Sequence, residues 1–354
     1  MLTIDADAHV LENPHTWDFL EESEEGFRPE VVVSGRQYTK AEMRDKWDRM
    51  PKRGAEYWFV DGRLQPKNHN VGLDTTPETR EMRDVEARIR HMDELEVDVQ
   101  VLYPTLFLRP VTMNPAVEMA LCRSYNRWLA GLCEGTKGRL RWIALLPFLT
   151  MDKALTEVAR ARDAGACGFM MRGLEGDKQL TDPYFFPLYE EAARLDMPAC
   201  VHSGIASFTY QDMFPATAGF RRFKLAVVGD FHSLIMEGIP AKFPGLKFGF
   251  IEVSAQWLPY VIHDLMRLAE RQGMDFPDDV LRENRVYVAC QTDDDLATIL
   301  RYGGEDNLVI GTDYGHADRS AEIEALRVLR DKGEVAPHII DKILGQNAKN
   351  LYGL

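Results

Sequence analysis

The sequence predicts a (β/α)₈ barrel, and three observations lead to that fold class. Eight short apolar segments recur along the 354 residues, and segments with helical spacing separate them. A barrel of this kind needs about 250 residues, so the chain is long enough for one barrel with inserted loops. No glycine-rich nucleotide-binding turn follows the first apolar segment, which argues against an open, doubly wound sheet.

The eight predicted strands are rich in Val, Ile, Leu and Phe and alternate little with polar residues, which is typical of parallel strands buried on both faces. They cover Leu2–Val10, Val97–Tyr103, Leu140–Pro147, Cys167–Met171, Pro198–His202, Leu246–Val253, Arg285–Cys290 and Leu308–Thr312. The predicted helices between them include Thr150–Ala164, Phe185–Leu195, Pro259–Arg271 and Ala321–Lys332. We therefore expect a single barrel domain over residues 1–354.

Residues 11–96 depart from this rhythm, because a long, polar and turn-rich stretch separates the first two strands. Within it, Glu56–Pro66 predicts a hairpin that turns at Asp61-Gly62. A structureless loop of this length would be unusual. We interpret 11–96 as an inserted subdomain over the barrel mouth, whose residues either line the pocket from above or only pack on it. The candidates for lining the pocket are Trp58, Phe59, His69 and Asn70.

The composition narrows the classes of partner. Hydrophobic residues make up 45% of the chain and charged residues 28%, as in ordinary globular proteins. The formal net charge of −14 disfavours phosphate backbones and anionic lipid, so we expect a small-molecule substrate, no nucleic acid and no membrane. The five cysteines form no CxxC pair, and the first residues lack the pattern of a signal peptide. These features predict a cytoplasmic protein with reduced thiols.

The first predicted strand carries three ionisable side chains on one face. Because side chains alternate along a strand, Asp5, Asp7 and His9 point the same way, into the barrel interior. Burying such groups without partners is costly. A divalent cation held by Asp7 and His9 would remove that cost, and a metal-free cluster of ion pairs and hydrogen bonds is the alternative.

Two later strands also end in ionisable groups. His202 ends the fifth predicted strand, and Asp313 follows the eighth, with His316 three residues further on. Active sites of these barrels lie at the carboxyl ends of the strands, where the first and eighth strands are neighbours. We therefore expect Asp7, His9, His202 and Asp313 to hold one divalent ion. Mixed oxygen and nitrogen ligands suit zinc, our first expectation, with manganese or iron as alternatives.

Several segments resemble the amidohydrolase-related family, in the branch that includes aminocarboxymuconate semialdehyde decarboxylase and related aromatic-acid decarboxylases. Besides the first-strand motif, the matching segments are Val97–Thr105, Cys200–Gly204, Gly238–Trp257 (GIPAKFPGLKFGFIEVSAQW), 311–316 (GTDYGH) and Gln346–Leu354. The resemblance spans nearly the whole barrel and is poor over Leu11–Glu96. It implies a (β/α)₈ barrel of the metal-dependent amidohydrolase type and homo-oligomerisation through the barrel helices.

The resemblance also implies roles for particular residues. The family's first-strand His-x-His falls on Asp7-Ala8-His9, so an aspartate takes the first ligand position. His202 and Asp313 match the ligands of the fifth and eighth strands. In the decarboxylases a histidine of the sixth strand transfers a proton, and Glu252 stands in its place here. The usual glutamate pKa of about 4.3 makes Glu252 a poorer acid near neutral pH, unless burial raises it.

Further side chains are candidates, most with a structural alternative. His232 is a candidate acid or base in a helical segment between the fifth and sixth strands, or else it packs in the helix layer. Arg172 ends the fourth strand and would hold a substrate carboxylate by a two-point contact, or else form a surface salt bridge. Tyr103 and His316 are candidates for binding substrate, with packing as the alternative for Tyr103.

We expect a metal-dependent enzyme, either a hydrolase or a carboxy-lyase. The first hypothesis is hydrolysis of a C–N or C–O bond in a small organic acid or amide. The alternative is non-oxidative decarboxylation of a small (aromatic) carboxylic acid. In either case Asp313, Glu252 or His232 would transfer protons. A barrel that has lost catalysis and serves as a partner subunit is the third hypothesis, and the departures at Asp7 and Glu252 fit it.

Overall fold

Parallel strands form a barrel in the computed structural model, which describes residues 2–33, 55–67, 70–214 and 219–354. The described strands are β1 (Ile4–Val10), β2 (Glu30–Val33), β3 (Glu56–Val60), β4 (Arg63–Pro66), β5 (Val99–Pro104), β6 (Leu140–Ala144), β7 (Gly168–Met171), β8 (Ala199–His202), β9 (Phe248–Ile251), β10 (Val286–Cys290) and β11 (Leu308–Ile310). Eight of them pair in the order β1-β5-β6-β7-β8-β9-β10-β11. The predicted fold class is confirmed, and each predicted strand overlaps one barrel strand.

The chain after the last strand returns to the first strand and closes the barrel. The Asp313 amide donates to the Asp7 carbonyl at 2.9 Å, and the His9 amide donates to the Tyr314 carbonyl at 3.0 Å. Glycine is required at position 311, because a Cβ there would lie 2.2 Å from the Cβ of Asp7. This seam sets the polar residues of β1 beside those that follow β11.

Helices surround the barrel. The α-helices are α1 (Pro77–Arg80), α2 (Val85–Glu94), α3 (Pro115–Cys133), α4 (Met151–Asp163), α5 (Phe186–Arg194), α6 (Phe208–Met213), α7 (Leu225–Met236), α8 (Ile239–Lys242), α9 (Leu258–Gln272), α10 (Val280–Asn284), α11 (Leu296–Gly303), α12 (Ala325–Lys332), α13 (Pro337–Asp341) and α14 (Asn347–Tyr352). Short 3₁₀ helices cover Pro14–Trp17, Glu22–Phe27, Leu106–Leu108 and Pro183–Phe185, and π-helical turns cover Phe220–Lys224 and Lys342–Gln346. In the described part of the chain, no helix has both the length and the apolar character needed to cross a bilayer.

The stretch between β1 and β5 contains a small antiparallel sheet, in the order β2-β3-β4. The predicted hairpin is confirmed, since β3 pairs with β4 and their turn falls on Asp61 and Gly62. Both turn residues have positive φ, 45° and 77°, as a two-residue hairpin turn of this hand requires.

This stretch contacts loops that emerge at the carboxyl ends of barrel strands. The Gln65 side chain donates to the Pro110 carbonyl at 3.1 Å, after β5. The Asn70 side chain donates to Asp318 at 2.8 Å, after β11. Trp58 is buried, and its ring centroid lies 5.8 Å from that of Trp17, so the Trp58 ring belongs to the core of the inserted stretch. Phe59 is exposed, and His69 lies outside the described residues.

Helix α2 lies within 11–96, directly before β5 in the chain, but it packs as a barrel helix. Its Arg88 is fully buried and donates from Nε to Gln100 of β5 at 2.7 Å. A second Arg88 nitrogen donates to the His9 carbonyl of β1 at 3.2 Å, and the guanidinium stacks 3.5 Å from the Tyr314 ring centroid. We propose that the insertion ends before Val85, because α2 packs as part of the barrel.

Asp230 of α7 is a buried acid with an unsatisfied oxygen. The residue is 4% exposed, and its Oδ2 has no hydrogen-bond partner among the described residues. Burial raises the pKa of Asp230 to about 8, although the Leu180 amide favours the charged form. The folded chain therefore keeps a proton that the unfolded chain releases above about pH 4.

We expect Asp230→Asn to remove a pH-dependent destabilisation. Between about pH 4 and pH 8 the folded state binds more protons at Asp230 than the unfolded state, so wild-type stability falls as the pH rises across this window. The free energy of unfolding of the variant should therefore exceed that of wild type by about 1–3 kcal/mol above pH 8 and equal it near pH 4. Urea unfolding at both pH values measures this, with the exposed Asp341→Asn as control. An equal gain at both pH values would contradict the assignment.

Candidate metal centre

Side chains from β1 and from three later strand ends meet inside the barrel mouth. His202 Nε2 lies 3.1 Å from Asp7 Oδ1, and His9 Nε2 lies 3.4 Å from the same oxygen. Asp313 Oδ1 lies 3.4 Å from His9 Nε2, and Glu252 Oε2 lies 3.5 Å from His202 Nδ1. The structure thus brings together the four residues expected to be metal ligands, and it places Glu252 against them.

The backbone is strained where two of these carboxylates leave their strands. Glu252 follows β9 and Asp313 lies three residues beyond β11, and both have left-handed φ, 60° and 52°. A non-glycine residue in this region costs about 1–3 kcal/mol and persists only where the surrounding structure fixes it. Such strain concentrates at functional sites, so the two acids are candidates for a chemical role.

Backbone carbonyls fix the orientation of the two central imidazoles. His9 Nδ1 donates to the Pro104 carbonyl at 2.9 Å, which leaves Nε2 facing the carboxylates. His202 Nδ1 donates to the Ser203 carbonyl at 2.8 Å, and its Nε2 faces Asp7. Hydrogen bonds of this kind are typical of metal-binding histidines, because they hold the ring and select its tautomer.

Burial sets the protonation of the cluster. Burial lowers the pKa of His9 to about 3, which keeps its imidazole neutral. Burial also opposes the charged form of His202, but the carboxylates of Asp7 and Glu252 raise its pKa to about 9. Burial and then neighbouring carboxylates raise the pKa values of Glu252 and Asp313 well above the usual range. Three carboxyl groups therefore compete for one positively charged partner.

The residues fit a divalent cation. Two buried ligand atoms, His9 Nε2 and Asp313 Oδ2, have no hydrogen-bond partner in the described part of the chain. Asp7, His9, His202 and Glu252 offer ligand atoms within 4.8 Å of one another. A cation would pair the unsatisfied atoms and offset the repulsion between carboxylates. A donor set of imidazole nitrogens and carboxylate oxygens suits zinc, manganese or iron.

A hydrogen-bonded chain supports Asp313 from behind. His316 Nδ1 lies 2.6 Å from Asp313 Oδ1, and His316 Nε2 forms a hydrogen bond with the Thr105 hydroxyl at 3.0 Å. Burial lowers the pKa of His316 to about 4, so this imidazole is neutral. Glu12 accepts from the amides of Thr105 and Leu106 at 3.2 and 2.9 Å. Thr105 and Glu12 were not predicted from the sequence, although the glutamate directly after the apolar pair Val10-Leu11 was a usable signal.

Two other acids lie near the cluster. Asp5 accepts from the Thr312 amide and hydroxyl at 2.9 and 2.6 Å and from Gln100 at 2.9 Å, so it ties neighbouring strands together. Asp318, which was not predicted from the sequence, belongs to a cluster of three carboxylates with Glu252 and Asp313. Each of the three offers an oxygen, and these oxygens lie within 4.8 Å of one another. The position of Asp318 five residues after Asp313 was the only signal in the sequence.

Three other candidates have partners of their own. His232 lies in the helix layer, where Nε2 is 3.2 Å from Asp264 of α9, as in the structural alternative. Buried Glu175 pairs with Arg172 through both carboxylate oxygens, so the charge of that arginine is already neutralised. The Tyr103 hydroxyl bonds that of Tyr352 at 2.9 Å, and its ring centroid lies 4.9 Å from that of His202.

A small, mainly apolar cavity of about 50 Å³ lies near the turn that follows His202. The Arg172–Glu175 pair forms part of its wall, and the Arg172 Cγ lies 3.3 Å from where a Cβ of Gly204 would stand, two residues after His202. Its other lining residues include Phe107, Leu145, Phe148, Met170 and Phe208.

Histidines and carboxylates that converge at the mouth of a (β/α)₈ barrel are typical of barrel enzymes that use a metal ion. The profile of the family described as Amidohydrolase matches residues 4–354, and the chain belongs to this family. The predicted resemblance is confirmed. The family is metal-dependent, and membership in it identifies the chain as an enzyme.

Known proteins show the same fold at low identity. An amidohydrolase from Mycobacterium avium subsp. paratuberculosis K-10 superposes with a TM-score of 0.79 and 18% identity, over 100% of this chain and 98% of its own. The 5-carboxyvanillate decarboxylase of Sphingomonas paucimobilis gives a TM-score of 0.68 and 16% identity, over 100% and 99%. A 2-amino-3-carboxymuconate-6-semialdehyde decarboxylase from Dictyostelium discoideum is 24% identical over 120 residues, 34% of this chain. This match spans about a third of that relative, 33% of its length.

Proposed function

We propose that this chain is a divalent-metal-dependent carboxy-lyase acting on a small organic acid. The observation that carries the proposal is Glu252, a largely buried carboxyl beside His202 whose pKa burial raises well above the usual range. Decarboxylation leaves a carbanion-like carbon that must take up a proton, and a neutral carboxyl group is a suitable donor near pH 7. The decarboxylases among the relatives support the same reaction class.

Asp7, His9, His202 and Asp313 would hold the ion. When bound, it would polarise a carboxylate or carbonyl of the substrate. Glu252 would hold a proton on its carboxyl group and deliver it to the carbon from which CO₂ departs. The C–C bond breaks, its electron pair stays on the substrate carbon, and a C–H bond replaces it. His316 would position Asp313 through their 2.6 Å contact.

Hydrolysis of a C–N or C–O bond is the second candidate. It is favoured by Asp313, because one of its oxygens has no hydrogen-bond partner among the described residues and can accept a proton from an attacking water. Decarboxylation and hydrolysis differ in their products, since only decarboxylation releases CO₂ from the substrate carboxylate.

The proposal predicts metal-dependent CO₂ release. The purified protein, reconstituted separately with zinc and manganese, would be incubated with a panel of aromatic and unsaturated carboxylic acids and the matching amides. We expect about one bound metal per chain and one CO₂ per product molecule, with no ammonia released from the amides. Glu252→Gln should keep the metal and lose about 100-fold or more in rate, since general acid catalysis contributes 10²–10⁴. Ammonia release from the amides would favour hydrolysis, and absence of metal binding would overturn both reactions.

A further inference from the structure

Two arginines near the barrel mouth have no acidic partner. Arg109 and Arg222 form no ion pair or hydrogen bond with any residue that the structure describes, although the chain carries 14 more negative than positive charges. Both are only partly exposed. The Nε of Arg222 is buried and unsatisfied. A guanidinium that is withdrawn from water without an acceptor is costly, so its retention calls for a ligand.

The fold sets these arginines on two sides of the turn that follows His202. The Ile205 amide donates to the carbonyl of Leu108, the residue before Arg109, at 2.7 Å. The Gly204 amide donates to the carbonyl of Phe223, the residue after Arg222, at 3.0 Å. Glycine is needed at position 204, because a Cβ there would lie 2.7 Å from the Leu108 oxygen.

The charges of the two arginines repel each other, and the charge of Arg109 also acts on His316 beside the candidate metal centre. Burial and, to a smaller extent, the positive charge of Arg222 lower the pKa of Arg109 to about 10. Arg109 also lies close enough to His316 to disfavour the charged imidazole. Two like charges that approach each other in a half-buried setting are stabilised by an anion between them.

We propose that Arg109 and Arg222 form a subsite for a substrate carboxylate that is not lost in the reaction, so that the substrate is a dicarboxylic acid. The inference rests on the proposed function, since it places the reacting carboxylate at the metal centre. Two guanidinium groups recognise a carboxylate by paired, charge-assisted hydrogen bonds. Such contacts would stabilise a departing carboxylate in the ground state and slow its loss, whereas on a remote carboxylate they only orient the substrate. Arg172, the arginine expected from the sequence, is already paired with Glu175.

Binding of dicarboxylates tests the subsite. Isothermal titration of the zinc-reconstituted and the metal-free protein would use isophthalate, glutarate and the neutral isophthalamide as probes. We expect isophthalate or glutarate to bind more tightly than isophthalamide, and Arg109→Gln and Arg222→Gln each to weaken that binding by about 10-fold or more. Arg109→Lys should recover part of the loss. The control is Arg271→Gln, an exposed arginine in the last turn of α9, which should match wild type.

The outcomes separate this inference from the proposed function. Dicarboxylate affinities unchanged in both glutamine variants, or no preference of wild type for a dicarboxylate over isophthalamide, would overturn the subsite even if metal binds. Arginine-dependent dicarboxylate binding in a protein that takes up no metal would support the subsite and overturn the metal-dependent function. Thermal unfolding of each variant checks that it folds, and Arg109→Lys supplies the comparison if Arg109→Gln does not.

Discussion

Replacing His202 by alanine is expected to lower zinc affinity by more than about 100-fold, the upper effect of losing a supporting residue around a metal ligand. His202 lies 3.1 Å from Asp7 Oδ1 and 3.5 Å from Glu252 Oε2, so its removal takes a positively charged partner away from both carboxylates. Turnover of any substrate found for the wild type should fall by about 1,000-fold or more, because the ion supplies the charge that polarises the substrate.

Metal analysis after dialysis against a graded zinc buffer measures the first effect, and initial rates measure the second. The matched control is His263→Ala, which removes an exposed histidine of α9 and should leave both unchanged. A His202→Ala protein that keeps one tightly bound zinc would exclude His202 as a ligand. Asp7→Asn provides an independent check, since it keeps the side-chain shape while removing the negative charge.

Replacing Arg88 by alanine is expected to cost about 3–5 kcal/mol of unfolding free energy, as for other broken buried charge networks. Arg88 is fully buried and donates to Gln100, to the His9 carbonyl and to the Thr79 carbonyl. Its loss leaves these acceptors unsatisfied and opens a cavity beside Tyr314. Because one of its bonds reaches His9, the variant should also bind zinc more weakly than wild type.

Urea unfolding of the metal-free protein isolates the stability effect. Arg90→Ala is the matched control, because Arg90 lies two residues along the same helix with a side chain that is 65% exposed. Its loss should change stability by less than about 1 kcal/mol. A loss of the same small size in Arg88→Ala would show that the buried guanidinium contributes little to the fold.

Hydrophobic periodicity was enough to predict the barrel. Each barrel strand is a short apolar run bounded by turn residues, and the hairpin at Asp61-Gly62 has the sequence of its turn type. The end of the insertion was not predictable this way. Helix α2 carries charged residues on most of its length. Besides the apolar Met92 it buries Arg88, so its packing against the barrel also depends on hydrogen bonds to Gln100 and His9.

The candidate site was predictable to the extent that strand ends determine it. Asp7, His9, His202 and Asp313 all follow from the rule that parallel strands present their carboxyl ends at one mouth. Partner choice among charged side chains does not follow from such a rule. Arg172 and Arg109 both lie in loops after barrel strands. Only the structure shows that Glu175 neutralises Arg172, while Arg109 has no acidic partner among the residues that it describes. In the same way, only the structure shows that His232 of α7 pairs with Asp264 of α9.

The seam between β1 and the end of β11 has a consequence for the order of synthesis. Asp5 and its partner Thr312 are 307 positions apart. A ribosome adds about 5–20 residues per second, so the acids of the first strand wait roughly 15–60 s before the residues that close the barrel exist. During that interval the nascent chain presents early parallel strands without their final neighbour. Protection from aggregation is therefore needed most before the last tenth of the chain emerges, and the proposed metal site is complete only after Asp313 has been made.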